Sequence, residues 1–286
     1  MNTPIFRCFL LGLLWLLLTV AAQGQPLRPN SSPTALAVGE TFTLTSKALG
    51  ETRRINVYLP PGYAEAGAAG LPVLYMPDGG LKEDFLHVAG LVQVLVGNGT
   101  MRPFLLVGIE NTERRRDLTG PTTNPEDRKI APRVGGSAAF RAFIRHELMP
   151  VIQKRYRTTS EKAIVGESLA GLFVVETFLL APDLFDTYLA FDPSLWWNNA
   201  QLVNQAGSLL RARPTRGKTL YLVASSERQI ADDTQRLSDT LRTKAGRNTK
   251  WSYEPMPEET HQTIYHPAAL RAFRAVFRPQ PANPAK

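Results

Sequence analysis

The 286-residue chain is 43% hydrophobic and 20% charged, enough apolar material to bury a large core and too much to stay disordered. Gly and Pro together make up about 15% of it, below the roughly 25–30% of low-complexity sequence, and no period of 20–50 residues recurs. Collagen-like, linker-dominated and solenoid architectures are therefore excluded, while the formal net charge of +8 suits anionic substrates or a negatively charged envelope surface without specifying either.

The first element is a leader. Arg7 precedes a mostly apolar run at 9–22, too short to span a bilayer, and small residues follow at Ala22 and Gly24. These are the marks of a signal peptide over 1–24. The reading implies a periplasmic or secreted mature chain, 25–286, with no stable membrane insertion. The single cysteine, Cys8, lies inside the leader, so the mature chain would hold no thiol for disulfides, thiol catalysis or Cys-ligated zinc.

Alternating apolar residues at 41–47 and 54–59 predict an antiparallel strand pair, the second strand stopped by Pro60, Pro61 and Gly62. Short apolar runs at 71–76, 104–109, 162–165, 187–191, 219–223 and 251–255 then alternate with helical stretches. That alternation predicts a single α/β domain with a mostly parallel sheet and helices on both faces. Over 137–156, Phe140, Phe143, Ile144, Leu148, Val151 and Ile152 recur at helical spacing, with a kink expected at Pro150. The stretch 169–181 is apolar nearly all round, so its helix belongs at the centre of the molecule. The last helix, 266–277, turns Leu270, Phe273 and Phe277 inward. The basic stretch 111–135 sets six cationic side chains against four acidic ones and has no aromatic residue to stack a base, which argues against nucleic acid as a partner.

The chemistry concentrates at Gly166-Glu-Ser-Leu-Ala-Gly171, where a strand meets the central helix. A serine on such a turn is exposed at the carboxyl edge of a sheet, and small neighbours let the turn approach adjacent strands. Ala170 stands where the G-x-S-x-G pattern has its second glycine. That position already lies in the first helical turn, so it needs no positive φ. A serine here would also serve as a plain N-cap. Catalysis is favoured by the histidines: His87 and His146 precede Ser168 within helices and His266 opens the last helix, whereas His261 follows the last strand in a loop, in the chain order serine, acid, histidine. A neutral serine hydroxyl needs such a base to take its proton. Three acids follow the run at 219–223, namely Glu227, Asp232 and Asp233. Glu227 is nearest the strand end and is the first choice, with the two aspartates, or no dedicated acid, as alternatives.

Several strings in order, Arg54-Ile-Asn-Val-Tyr-Leu-Pro-Pro-Gly-Tyr63, Leu71-Pro-Val-Leu-Tyr-Met-Pro-Asp-Gly-Gly80, the run from Val107 to Thr119, Gly166-Glu-Ser-Leu-Ala-Gly171, Asp192-Pro-Ser-Leu-Trp-Trp197 and Glu259-Thr-His261, give the chain a resemblance to a known family. Over nearly all of the mature chain it resembles the Putative esterase family, which includes enterochelin esterases, S-formylglutathione hydrolases, feruloyl esterases and mycolyltransferases. It is most similar to the enterochelin-esterase branch. Gly120, between Thr119 and Pro121, departs from that branch's pattern. The resemblance implies an α/β-hydrolase fold, Ser168 as nucleophile, His261 as base, and an oxyanion hole from the backbone N–H groups of Leu169 and Gly80. Arg114 and Arg116 fall in the loop after the fourth strand, where ligands collect in open α/β sheets, and could hold an anionic or catecholate-like group. Trp196 and Trp197 would wall the pocket, although neighbours in sequence cannot both face it. The expected protein is an exported serine esterase acting on a small-molecule ester, with no metal and no cofactor. The alternatives are acyl transfer to a sugar or envelope acceptor and a non-catalytic ligand-binding protein.

Overall fold

Eight strands order as β1-β2-β4-β3-β5-β6-β7-β8 in the computed structural model, which describes residues 34–65, 67 and 69–279; the leader at 1–24 lies outside them. The described residues from Val38 onward cluster as one unit. Strand β1 (Glu40–Ser46) pairs antiparallel with β2 (Glu51–Tyr58), and β2 pairs antiparallel with β4 (Leu105–Ile109). All other pairings, through β3 (Leu71–Pro77), β5 (Thr158–Glu167), β6 (Thr187–Phe191), β7 (Thr219–Ala224) and β8 (Lys250–Pro255), are parallel. The sequence expectation of an antiparallel opening on a parallel sheet is met. The central strands are buried along both faces, which is why they read as continuous apolar runs.

Helices cover both faces. On one lie α1 (Phe85–Gly97) and α9 (Tyr265–Val276), packed through Phe85, Val88, Val92, Ala268 and Phe273. The other carries α4 (Ser137–Phe143), α5 (Met149–Arg155), α6 (Leu169–Leu180), α7 (Trp197–Ala212) and α8 (Arg228–Lys244). Two short helices, α2 (Arg114–Leu118) and α3 (Pro125–Lys129), sit in the connection after β4. Helix α6 is buried over all but its last residue, as its apolar surface requires. Its two polar side chains are partnered: Glu176 forms an ion pair with Arg141 at 3.0 Å and accepts from Ser137 Oγ through Oε1, and Thr177 Oγ1 donates to the Phe173 carbonyl. The kink expected at Pro150 takes the form of a π-helical turn, Ile144–Leu148, in which Met149 N–H donates to the Ile144 carbonyl. Proline has no N–H to continue the ordinary ladder, and the wider turn absorbs the loss.

The strand order reverses between β3 and β5, so the loops leaving those two strands open a crevice at the carboxyl edge. Gly79 fits there because a Cβ would lie 2.3 Å from the Gly108 Cα; its carbonyl accepts from Asn56 Nδ2 at 2.8 Å. One buried ion network ties β2 to this region. Arg53, fully buried, pairs with Asp117 and with Glu51 at 2.7 Å, and Arg116 bridges Glu51 at 2.8 Å and Asp117 at 2.7 Å. Removing one partner of a buried pair leaves the other charge uncompensated. Asp117→Ala should therefore lower the unfolding free energy by about 3–5 kcal/mol, read from the denaturant midpoint at neutral pH. A loss under about 1 kcal/mol would mean that Arg53 escapes to solvent.

Candidate active site

Ser168 is the turn between β5 and α6, with φ 59° and ψ −119°. This is a strained backbone for a residue with a side chain, and several contacts hold it. Ser168 N–H donates to the Phe191 carbonyl at 3.0 Å, and its own carbonyl accepts from Leu172 and Ser194 N–H groups at 2.9 and 3.0 Å. Gly166 is required here, since a Cβ on it would come within 2.7 Å of Ala170 atoms. Ala170, by contrast, is fully buried and fits without strain of its own, so the departure from the second glycine is accommodated. The plain N-cap alternative fails on geometry: the Ser168 side chain makes no capping hydrogen bond.

The hydroxyl turns to the imidazole instead. Ser168 Oγ and His261 Nε2 are 3.1 Å apart, and His261 Nδ1 lies 2.6 Å from Asp192 Oδ2. Asp192, fully buried, leaves the end of β6 with φ 45°. Ser225 N–H donates to its Oδ1 at 2.6 Å and Ser225 Oγ to its Oδ2 at 2.9 Å. The acid facing the imidazole is thus Asp192 and not Glu227. Glu227 begins α8, its N–H donates to Ser225 Oγ, and its carboxylate makes no hydrogen bond to His261, acting on the ring only through its charge. Asp232 pairs weakly with Arg228 at 3.9 Å and Asp233 pairs with Arg236 at 2.7 Å, so neither alternative reaches the histidine. The Asp192 hydrogen bond, reinforced by the charge of Glu167, holds the His261 pKa above the usual imidazole value.

A second carboxyl stands beside the same nitrogen. Glu167 Oε1 is 3.5 Å from His261 Nδ1, and the Glu167 side chain is only 16% exposed. Burial pushes its pKa up to about 7, against the attraction of His261 and Arg114, with Asp192 and Asp78 adding repulsion. Glu167, Asp192 and His261 bring one donor atom each within 4.8 Å of one another, the one grouping of metal-ligand type among the described residues. Asp192 is already committed to Ser225 and His261, so the set serves proton chemistry better than a cation.

The remaining expected residues divide. As first residue of α6, Leu169 presents one of the helix's unpaired N–H groups beside the serine. Gly80 does not meet its expectation in this state: its N–H donates to Glu83 Oε2 at 2.7 Å, so it is occupied. Arg114 reaches Asp78 with two bonds, Nε to Oδ1 at 2.7 Å and Nη2 to Oδ2 at 2.8 Å, and lines a recess of about 510 Å³. Arg116 lines the same recess, with Glu51 and Asp117 holding its guanidinium in the network that supports Arg53. Trp197 is buried, its Nε1 donating to the Gly120 carbonyl at 2.8 Å; a side chain on Gly120 would strike Glu176. Trp196 instead lines a cleft of about 800 Å³ with Asn124, Ile130 and Glu227. A left-handed turn follows the two directly, with Asn198, Asn199 and Ala200 at φ 51°, 55° and 55°. Ser194 was not anticipated; its Oγ lies 3.3 Å from Ser168 Oγ.

The Esterase family model, described as Putative esterase, matches residues 46–278. The chain belongs to that family. It is 26% identical to the ferri-bacillibactin esterase BesA of Bacillus subtilis over 256 residues, 80% of this chain and 86% of the relative. It is 29% identical to the siderophore triacetylfusarinine C esterase of Aspergillus fumigatus over 64% of each chain. Among solved structures, an IroE-like serine hydrolase from Shewanella oneidensis superposes with a TM-score of 0.76 at 30% identity, covering 84% of this chain and 80% of the other. The first two relatives are esterases and the third a serine hydrolase, and the fold they share with this chain is the α/β-hydrolase fold. No helix of the described residues is long and apolar enough to cross a membrane.

The displaced pKa of Glu167 has a consequence for stability. The folded protein retains this proton where an unfolded chain has lost it, so the stability it contributes is complete below the ordinary glutamate range and lost as pH rises through about 7. Glu167→Gln removes the cost of the buried charge, about 3 kcal/mol at most. Its Tm should exceed that of the wild type by about 5 °C at pH 8 and by little at pH 4.5, measured by calorimetry. An equal change at both pH values would contradict the assignment.

Proposed function

We propose that the protein is an exported serine esterase that hydrolyses a siderophore-type or related aromatic ester through an acyl-enzyme. The observation that carries this reading is the hydrogen-bonded chain Ser168–His261–Asp192 at the edge of the sheet. Its substrate class is suggested by the siderophore esterases among its relatives, and export by the leader at 1–24.

In this reading Ser168 Oγ attacks the ester carbonyl while His261 Nε2 takes its proton. Asp192, held by two Ser225 donors, fixes the ring so that Nδ1–H faces the carboxylate and Nε2 is free to accept. The oxyanion develops beside the start of α6, where the Leu169 N–H is free to donate and where the helix end favours negative charge. Once His261 has returned its proton to the leaving alcohol, the acyl group remains on Ser168. Water, deprotonated by the same nitrogen, then releases the acid. None of these steps draws on a metal or cofactor. Because His261 must be neutral to act, and its partners hold its pKa above the usual imidazole value, kcat/KM should fall on the acid side at a higher pH than an unperturbed histidine would give.

Variants of the two acids separate the roles. Ser168→Ala should abolish turnover of p-nitrophenyl butyrate and labelling by a fluorophosphonate. Asp192→Asn should lower kcat by about 10³–10⁴-fold, and Glu227→Gln by less than about 3-fold. The reverse order for the two acids would transfer the orienting role to Glu227.

Arg114 is the substrate contact this reading favours on the polar side and Trp196 on the apolar side. With Nε and Nη2 on Asp78, nothing else among the described residues engages Arg114 Nη1, and the side chain is 35% exposed. Arg114→Gln should raise KM for anionic or catecholate esters by about 10-fold and leave KM for neutral esters nearly unchanged. An equal rise for both would refute the contact.

A further inference from the structure

We propose that Glu167 is a second carboxyl partner of His261, a positioning residue that shares Nδ1 with Asp192 and sets the pH at which the base becomes available. The proposal rests on the serine-esterase reading for its kinetic consequence, although not for its electrostatic one.

The geometry separates the two carboxyls by function. Asp192 Oδ2 is 2.6 Å from Nδ1 and is locked by Ser225, so it orients the ring. Glu167 Oε1, at 3.5 Å, is too far for a normal hydrogen bond and close enough for a strong charge effect. It comes from β5, next to Ser168 itself, so its backbone is fixed by the same turn that presents the nucleophile.

The groups around the pair are few. Glu167 meets Asp78 from the loop after β3, Arg114 from α2, Asp192 from the end of β6, and His261; Tyr265, at the start of α9, also senses its charge. His261 is faced in addition by Glu227 from the start of α8. Arg114, which favours an ionised Glu167, is itself bonded to Asp78, so much of its charge is already answered. Glu167 is consequently poised between forms. Ionised, it stabilises the imidazolium and keeps the base protonated to a higher pH. Protonated, it releases the imidazole to act at a lower pH. Because the two groups interact, the acid limb of activity belongs to the pair and not to His261 alone.

The test is a ¹⁵N-histidine NMR titration of the purified protein from pH 4 to 9, with His261 assigned by its loss in His261→Gln. Glu167→Gln should lower the His261 midpoint by about 1 unit, and Glu167→Asp, which retracts the charge, by less. In parallel, the acid limb of kcat/KM for p-nitrophenyl acetate should move to lower pH by the same amount, while the alkaline plateau changes less than about 3-fold. A side chain that merely supports the fold would lower the rate at every pH and leave the limb in place. A His261 midpoint within about 0.2 units of wild type in Glu167→Gln overturns the proposal. So does a fixed limb in an active variant. Should Glu167→Gln fail to fold, an unmoved midpoint in Glu167→Asp overturns it as well. If the midpoint moves but the wild-type chain cleaves no ester, the coupling stands and the esterase reading falls.

Discussion

The arrangement depends on three strands whose last residues are followed at once by a backbone reversal. Asp78 after β3, Ser168 after β5 and Asp192 after β6 all have φ between 45° and 59°, a region that costs side-chain-bearing residues of order 1–3 kcal/mol each. Sheet register makes two of them neighbours: Glu167 pairs with Phe191, so the next residues on the two strands, Ser168 and Asp192, leave the sheet at the same level. The serine and the carboxylate that faces the imidazole are thus brought together by strand pairing. Only His261 arrives from a loop, and its ring is fixed by meeting both of them.

That arrangement explains which parts of the site were legible in the sequence. Gly166 and Ser168 form a local signal, because a tight strand-to-helix turn leaves its marks within a few residues. His261 could be found by elimination, being the histidine that follows the last strand in a loop. Asp192 was passed over because an aspartate before Pro193 at the end of an apolar run resembles an ordinary turn residue. Its donors come from Ser225, 33 positions further on, where no local pattern reveals them. Arg116 was legible only in part. Its neighbours Glu113 and Asp117 signalled a local ion pair, whereas Glu51, the partner that completes its pairing, is 65 residues upstream.

The positions of the strands and the buried central helix were readable for the opposite reason, since apolar runs and all-round apolar helices are imposed by burial itself. The divergence of Trp196 and Trp197 was readable only in part. Two adjacent side chains must diverge, but Trp197 is tied inward by its bond to the Gly120 carbonyl, 77 positions away, before the chain enters the left-handed turn through Asn198, Asn199 and Ala200. Alanine has no preference for that conformation. It is held instead by tertiary bonds: Asn198 Oδ1 accepts from Thr122 and Thr123, and Asn198 N–H donates to Asp127 at 2.8 Å.

Along the carboxyl edge the charges form a row: Asp78, Arg114, Glu167, His261 and Asp192. Carboxyl groups outnumber cations in it; burial, aided by that excess, makes Glu167 hold its proton into the neutral range, and the Asp192 hydrogen bond, aided by the same excess, holds the His261 pKa above the usual value against the opposing effect of burial. An anionic ester approaching Arg114 would meet this negative excess directly. Retaining a proton on Glu167 removes one negative charge from the row, favouring the approach of such an ester, and at the same time lowers the basicity of His261. Substrate charge and base strength are therefore linked through one carboxyl group. The pH that best admits an anionic substrate need not be the pH at which a neutral one reacts fastest, because only the former adds its own charge to the row.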